Sequence, residues 1–344
     1  MPIFNSFQNL ASLLYYKKMK HIFSLVALFY SITICYSQNK ELTGKWILVK
    51  TIYNDGKNIE INNPTYSQEL VYTINPNNLK INTQNFKATF TSNKIITPFR
   101  TINYAFEEKY LIAYDEGDNK TSFFLPVNEY VKTYPEFSLK EIERNGNTVY
   151  LDNKLSGYEF NNELDLDEFI SNNRKDKDSK VINNLYFQIE FILTSNNKIK
   201  DIKVLNSINP QHDTDYINTL KEAEKYLKNI SGKDLLIVNE VHHAKFRQDL
   251  TDKNEKKFYE LMVKGGDYYR NNKFEKAIET LSQIKDIDIK SNNFRMFIRE
   301  YKKKLGVSYL AIGKTEEACQ IFNQIGDKTD FEVRNYLIDF CEKK

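Results

Sequence analysis

The sequence predicts a multidomain α+β chain: an N-terminal antiparallel β-barrel, a small α+β module and a C-terminal all-α pair of helical repeats. Three observations carry that expectation. Between Gly44 and Leu151, short apolar stretches alternate with turn signals at hairpin spacing. From Phe187 to Val241 the pattern reads strand, tight turn, strand, helix, strand. From Phe258 to Ile325 a set of glycine, tyrosine and alanine positions occurs twice, with 12 residues from Gly265 to Ala277 and again from Gly306 to Ala318.

A chain of 344 residues has room for two or three domains, each burying its own core. With 49 Lys and Arg against 46 Asp and Glu, the net charge of +3 gives no electrostatic reason to expect nucleic acid as a partner. Aromatic residues at 14% fit ordered, strand-rich cores rather than disorder. Three cysteines limit any disulfide framework to one bridge.

At the N-terminus, Lys17, Lys18 and Lys20 precede an apolar run from Ile22 to Ile34, and Cys35, Tyr36 and Ser37 precede Gln38. That order reads as a signal peptide over residues 1–37, with translation able to start at Met19, because residues 19–37 form a complete signal by themselves. The run is shorter than the roughly 20 apolar residues of a membrane span, so no span is expected in the mature chain. Ile34, rather than a small residue, stands before Cys35, which argues against a lipid anchor there. A serine cleavage site followed by Gln38 resembles exported proteins of Bacteroidetes-type bacteria, and the resemblance implies a periplasmic or outer-membrane-associated protein.

Residues 38–161 carry the expected barrel. Gly44, Lys45 and Trp46 open its first strand, and further strands are expected at Leu70–Ile74, Phe86–Thr91, Lys94–Phe99, Thr101–Phe106, Tyr110–Tyr114, Ser122–Val127, Phe137–Arg144 and Thr148–Leu151. Asn54–Gly56, Asn75–Pro76, Glu116–Gly117 and Asn145–Gly146 punctuate them. The Gly44-x-Trp46 motif near the mature N-terminus resembles lipocalin-like proteins, in which this pair lies on the first strand and the indole plugs one end of the barrel. A barrel of that size is either filled by its own side chains or holds one small lipophilic ligand, and both readings stay open from sequence.

Residues 162–250 form the expected second module. Asn172–Lys180 is a polar run without an apolar residue, read as a solvated linker. Phe187, Ile189, Phe191 and Leu193 alternate with Gln188 and Glu190, Ser195–Lys198 turns the chain, Ile202 and Val204 return it, and Tyr216, Ile217, Leu220, Ala223 and Leu227 share one face of a helix for which Asp213 is the expected cap. Leu235–Val241 is the third strand. This order, with Ile199–Val204 after the turn, resembles the C-terminal domain of TonB-type proteins. The resemblance implies a small sheet with an edge able to pair with a partner strand. The proline-rich spacer of true energy transducers is missing, since Pro210 is the one proline after Pro135.

Residues 251–344 hold the repeats. Leu261, Gly265, Tyr268, Phe274, Ala277, Leu281 and Ile284, then Leu305, Gly306, Tyr309, Ala318, Phe322 and Ile325, resemble the recurring positions of tetratricopeptide repeats, in which a small residue lets paired helices approach. The units are offset by 41 residues, from Gly265 to Gly306, against roughly 34 in that family, so extra residues are expected within Ile287–Asn293. The resemblance implies a concave face lined by the first helix of each pair, with Tyr259, Met262, Tyr269, Arg270 and Lys303 as partner-binding residues. Met262 and Gly266 depart from the carboxylate-clamp pattern. Thr329 and Glu332 have capping-box spacing before a closing helix whose apolar face is Phe331, Val333, Leu337 and Phe340. Cys319 and Cys341 fall on neighbouring helices, placed either to form a disulfide or to stay as buried thiols.

No residue pattern nominates a reaction. Glu240, His242 and His243 are adjacent, but neighbouring strand residues point to opposite faces and share a metal poorly. Gly313, Lys314 and Thr315 imitate the end of a phosphate loop, yet Ser308 stands where its first glycine belongs and the context is helical. Glu163, Asp165, Asp167 and Glu168 lack the spacing of a calcium loop and read as a solvated helix start. No catalytic, cofactor or metal residue is nominated. The expectation is an exported, non-catalytic cell-envelope protein that docks other envelope proteins through its repeats and open sheet edge. The alternative is a carrier of a small lipophilic ligand in the barrel at Gly44 and Trp46.

Overall fold

The computed structural model describes residues 41–153, 155, 157–162, 164–175, 186–242, 250–289 and 294–342. The segment read as an export signal, with Met19 and Cys35, and also Glu163, His243, residues 176–180 of the expected linker and residues 290–293 of the expected insertion, lie outside the described residues.

The first unit is a nearly closed antiparallel sheet built from β1 (Gly44–Tyr53), β2 (Val71–Asn75), β3 (Asn78–Ile81), β4 (Gln84–Lys87), β5 (Thr89–Phe90), β6 (Lys94–Ile96), β7 (Thr101–Glu107), β8 (Tyr110–Asp115) and β9 (Lys120–Pro126). Its order is β4-β3-β2-β1-β9-β8-β7-β6-β5. Only Ala88 separates β4 from β5, so one continuous stretch pairs with β3 through its first half and with β6 through its second. That shared stretch joins the two ends of the sheet and removes most of the exposed edge. Strand β3 was not expected from sequence. It is a short return between the Pro76–Asn77 turn and Asn82, whose φ of 51° reverses the chain and whose side chain accepts from Val71 N–H at 2.8 Å.

The interior of the barrel is occupied by side chains. Trp46, Leu48, Tyr72, Ile74, Leu79, Ile95, Ile102, Tyr104, Leu111, Ala113 and Phe124 form one buried cluster. Tyr72 and Phe124 stack at 4.6 Å, and the Trp46 indole donates to the Leu42 carbonyl at 2.9 Å. The outward residues Ile47, Val71 and Leu125 are buried as well. Strand β1 therefore reads as the uninterrupted apolar run Trp46–Val49, the signature of a strand covered on both faces. Its cover is α1 (Val127–Thr133), a 3-10 turn at Pro135–Phe137, and Leu155. Sequence periodicity missed α1, a seven-residue helix too short to form without the packing of Tyr130.

The second unit contains β10 (Lys140–Arg144), β11 (Asn147–Leu151), β12 (Tyr158–Phe160), α2 (Leu166–Asn173), β13 (Tyr186–Leu193), β14 (Ile199–Asn206), α3 (Pro210–Ala223), β15 (Leu227–Asn229) and β16 (Leu235–His242). The sheet order is β10-β11-β16-β13-β14, with β12 and β15 paired separately. Here the structure corrects the sequence reading, which assigned the β10–β11 hairpin to the barrel. Asn145 and Gly146, at φ 50° and 75°, make the hairpin locally. Its sheet is chosen at long range, by Tyr150 N–H donating to the Asp234 carbonyl at 2.8 Å and by parallel pairing of β11 with β16.

Strand β13 is buried almost throughout, and Phe187, Ile189, Phe191 and Leu193 pack under α2 and α3 through Phe169, Ile170, Tyr216 and Leu220. Asn209, rather than Asp213, caps α3, accepting from His212 N–H at 2.8 Å ahead of Pro210. Asp165 caps α2, and Asp167, exposed in its first turn, accepts from Asn239 Nδ2 at 2.6 Å.

The third unit is helical: α4 (Lys253–Arg270), α5 (Phe274–Leu281), α6 (Arg295–Ala311), α7 (Thr315–Asn323) and α8 (Phe331–Tyr336), the last continuing as a π-helical turn at Leu337–Cys341. The two hairpins share one hydrogen bond at the turn. Lys273 N–H donates to the Tyr268 carbonyl and Lys314 N–H to the Tyr309 carbonyl, each at 2.9 Å, and the left-handed turn residues are Asn272 (φ 56°) and Gly313 (φ 78°). A methyl group on Gly265 would lie 2.4 Å from Leu281, and one on Gly306 would lie 2.5 Å from Phe322. The missing Cβ atoms are what let each helix pair close. Among the described residues no helix is long and apolar enough to cross a membrane.

Candidate docking site between the barrel wall and the carboxy-terminal helix

The loop that leaves β1 is shaped for contact with the helical unit. Asn63 accepts from Thr65 N–H at 3.0 Å and caps the 3-10 turn Pro64–Ser67, which presents Tyr66 to α8. Tyr66 stacks on Tyr336 at 5.0 Å, and Tyr336 stacks on Phe322 at 4.8 Å. The Tyr336 hydroxyl donates to the Ile61 carbonyl at 2.8 Å, the Asn335 amide donates to the Tyr66 carbonyl at 2.6 Å, and the Tyr66 hydroxyl donates to Asp339. Burial, then the bond to Asp339, raises the Tyr66 phenol well above its ordinary range, so it stays a donor. Asn62 reaches the first repeat turn, donating to Asn272 at 2.7 Å.

What holds α8 in this place is local to the repeats. Asp330 caps it, accepting from Glu332 N–H, so the expected Thr329 cap is replaced; Thr329 turns instead to Asp327. Arg299 grips Asp330 and donates to the Ile325 carbonyl at 2.7 Å. A disulfide joins Cys319 on α7 to Cys341, with Cα atoms 5.6 Å apart. Phe340, expected in the apolar face of the closing helix, is 37% exposed.

Between β1 and this segment runs a groove of about 580 Å³. Val49, Ile52, Ile59, Ile61, Ile338 and Phe340 give it apolar walls, while Lys50, Asn335, Asp339 and Arg334 are polar. Arg334 is 3% exposed, its guanidinium 3.9 Å above the Tyr134 ring and within 5.3 Å of Tyr130, with Nη1 donating to Asn335 Oδ1 at 3.0 Å. Phe331 packs on Phe137 at 5.2 Å just below.

A second buried polar pair lies where the barrel meets the mixed sheet. Lys45 donates to the Leu155 carbonyl at 2.7 Å, and burial lowers its pKa. Burial pushes the Asp152 carboxyl up to about 7, opposed by Lys45. The mixed sheet contacts the repeats through Arg295, whose guanidinium is 3.3 Å from Glu240 and donates to the Tyr186 hydroxyl at 3.0 Å.

The residues nominated for partner binding are divided by the fold. Met262 is buried with Phe258, Leu281 and Phe294 in the repeat core, and so is committed to packing. Tyr269 packs on Phe274 at 6.1 Å and turns its hydroxyl to the Asn62 carbonyl of the barrel loop. Tyr259 is half-buried against Phe297, Lys303 is half-buried, and Arg270 is exposed and pairs with Asp267. Trp46 is a core residue of the barrel, and Gly44 takes φ 140° at the strand start. Gly313–Thr315 form the repeat turn and the first residue of α7. Among the described residues strand β14 pairs with β13 alone, so its other edge carries no described strand along Ile199–Asn206.

Comparison of the chain with protein-family models, with curated proteins and with solved structures returned no match.

Sequence reasoning missed Tyr66, Arg334 and Asp339. One signal was present: Arg334 lies on the apolar stripe that Phe331 and Leu337 define in the closing helix, a place where a cation is costly unless something receives it.

Proposed function

We propose that this chain is a non-catalytic, exported cell-envelope protein that scaffolds other envelope proteins, with the helical repeats and the open edge of β14 as its contact surfaces. The observation that carries the reading is the pairing of the two helical hairpins. Stacked repeat hairpins bury their apolar faces against one another and leave the remaining surface for partners. The Gly265–Leu281 and Gly306–Phe322 approaches have that form. The outer edge of Ile199–Asn206, which no described strand covers, offers a second kind of contact, strand addition. Export is supported by the basic-then-apolar segment at residues 17–34 and by the Cys319–Cys341 disulfide, since such bonds persist in oxidising compartments. The carrier reading has less support, because Trp46, Tyr72 and Phe124 occupy the barrel interior.

The test is affinity capture from an envelope fraction with the full chain as bait, followed by amide exchange on the reconstituted complex. Slowed exchange at Ile199–Asn206, or at the exposed faces of α4 and α6, is expected. A captured partner that slows exchange at neither surface would remove the proposal.

A further inference from the structure

We propose that the Cys319–Cys341 disulfide is a redox latch, whose reduction by a dithiol frees residues 338–342 from the barrel wall and opens the apolar groove beside β1. The end of the closing helix shows where such a segment can part. Leu337 is the last buried residue, packed with Phe322, Val333 and Tyr336. Beyond it Ile338 and Cys341 are half-buried, and Asp339, Phe340 and Glu342 are exposed. Asp339 accepts from the Tyr66 hydroxyl, Glu342 pairs with Lys328, and the Glu342 N–H donates to the Leu337 carbonyl at 3.0 Å. The covalent hold is the bond from Cys341 to Cys319 on α7, whose neighbours Ala318 and Phe322 are fully buried. While that bond is intact, the turn cannot leave without drawing on α7 and its core. Once it is cut, the same opening becomes a local event, and the exposed ion pair with Lys328 adds little against it.

The chemistry is thiol–disulfide exchange. One thiolate of the dithiol attacks a sulfur of the bond and its second thiol resolves the mixed disulfide. Cys319 and Cys341 take up two electrons and two protons while the reductant closes its own disulfide. Both cysteines keep part of their surface in solvent, where a small dithiol can meet the bond. What the latch controls is apolar surface. Ile338 and Phe340 form one wall of the groove, and Val49, Ile52, Ile59 and Ile61, on β1 and the loop after it, form the other. Moving the first wall away leaves the second as a contact patch that the oxidised protein keeps narrow. The latch is independent of the scaffold reading, because it governs the barrel wall and neither the faces of α4 and α6 nor the edge of β14.

The test is amide hydrogen exchange of the full chain, oxidised and after treatment with dithiothreitol, with anilinonaphthalene sulfonate as a fluorescent probe of apolar surface. Reduction is expected to speed exchange at residues 338–342 at least about tenfold, to leave α4 and α5 within about twofold, and to raise the dye signal at least about twofold. Cys319→Ser with Cys341→Ser should reproduce the reduced protein, and reduction of the parent chain gives the answer should that variant fail to fold. Tyr66→Phe removes the other hold on Asp339, and with the disulfide intact it should shift exchange at residues 338–342 by less than about threefold. The proposal is overturned if dithiothreitol leaves the bond of the folded protein intact, if exchange at residues 338–342 does not change on reduction, or if α4 and α5 speed up as much as the turn. It is equally overturned if the dye signal does not rise, or if Tyr66→Phe alone frees the turn as fully as reduction does.

Discussion

Tyr66 and Tyr336 stack with ring centroids 5.0 Å apart, joining a loop of the barrel to the closing helix of the repeats. Each ring also anchors the other side by a hydrogen bond, Tyr66 to Asp339 and Tyr336 to Ile61. The barrel and the repeats are thereby tied through the segment that also carries Arg334. Replacing Tyr336 by Phe keeps the stacking and loses one bond to a buried carbonyl, and should cost about 1 kcal/mol. Phe331→Ala, which empties the space against Phe137, should cost about 3–5 kcal/mol. Denaturant titrations of both variants check the ranking, and equal losses would contradict it.

The repeat glycines differ in what surrounds them. Gly306→Ala drives a methyl to 2.5 Å from the Phe322 ring and should destabilise by about 1–3 kcal/mol. Gly266→Ala meets only the ends of Lys304 and Arg270, at 3.5 and 3.7 Å, and should be neutral or stabilise by up to about 1 kcal/mol. The shift in thermal midpoint of each variant reads the sign directly.

The disulfide spans 22 residues of sequence, a loop for which the chain-entropy model gives about 3 kcal/mol. Reductant should lower the denaturation midpoint of the repeats by a corresponding amount. In denatured, unreduced protein, thiol titration should find neither Cys319 nor Cys341 reactive.

Asp152 gives the stability a definite pH dependence. Its folded pKa, pushed up to about 7 by burial, lies above the ordinary carboxylate value of 3.8, so the folded state holds the proton more tightly. Stability from this group is greatest below pH 4 and falls as pH rises to about 7, by on the order of 2–4 kcal/mol, then levels off. Asp152→Asn should flatten the profile between pH 4 and 7. An unchanged slope in stability against pH would count against this assignment.

Much of the architecture was legible from local pattern. The Asn145–Gly146 turn, the alternation of β13 and the paired spacings of Gly265 and Gly306 each describe a structure that neighbouring residues build by themselves. Periodicity shows which face of an element is apolar. It does not show what will cover that face. Hence the sequence could not say that β10 and β11 join β16, that Ala88 carries one strand between the two ends of the barrel, or that Met262 would be buried and Tyr269 turned to the barrel loop.

The sequence by itself determined the Asn145–Gly146 hairpin, the strand–turn–strand of β13 and β14 and the two helix pairs, because turn chemistry and apolar spacing act within a few residues. Only the tertiary structure decided that α8 would lie on the barrel wall and seal Arg334 among Tyr130, Tyr134 and Phe137. That choice rests on the fit between surfaces separated by some 270 residues of chain, as the 273-residue span from Tyr66 to Asp339 illustrates, and local sequence pattern does not encode such complementarity.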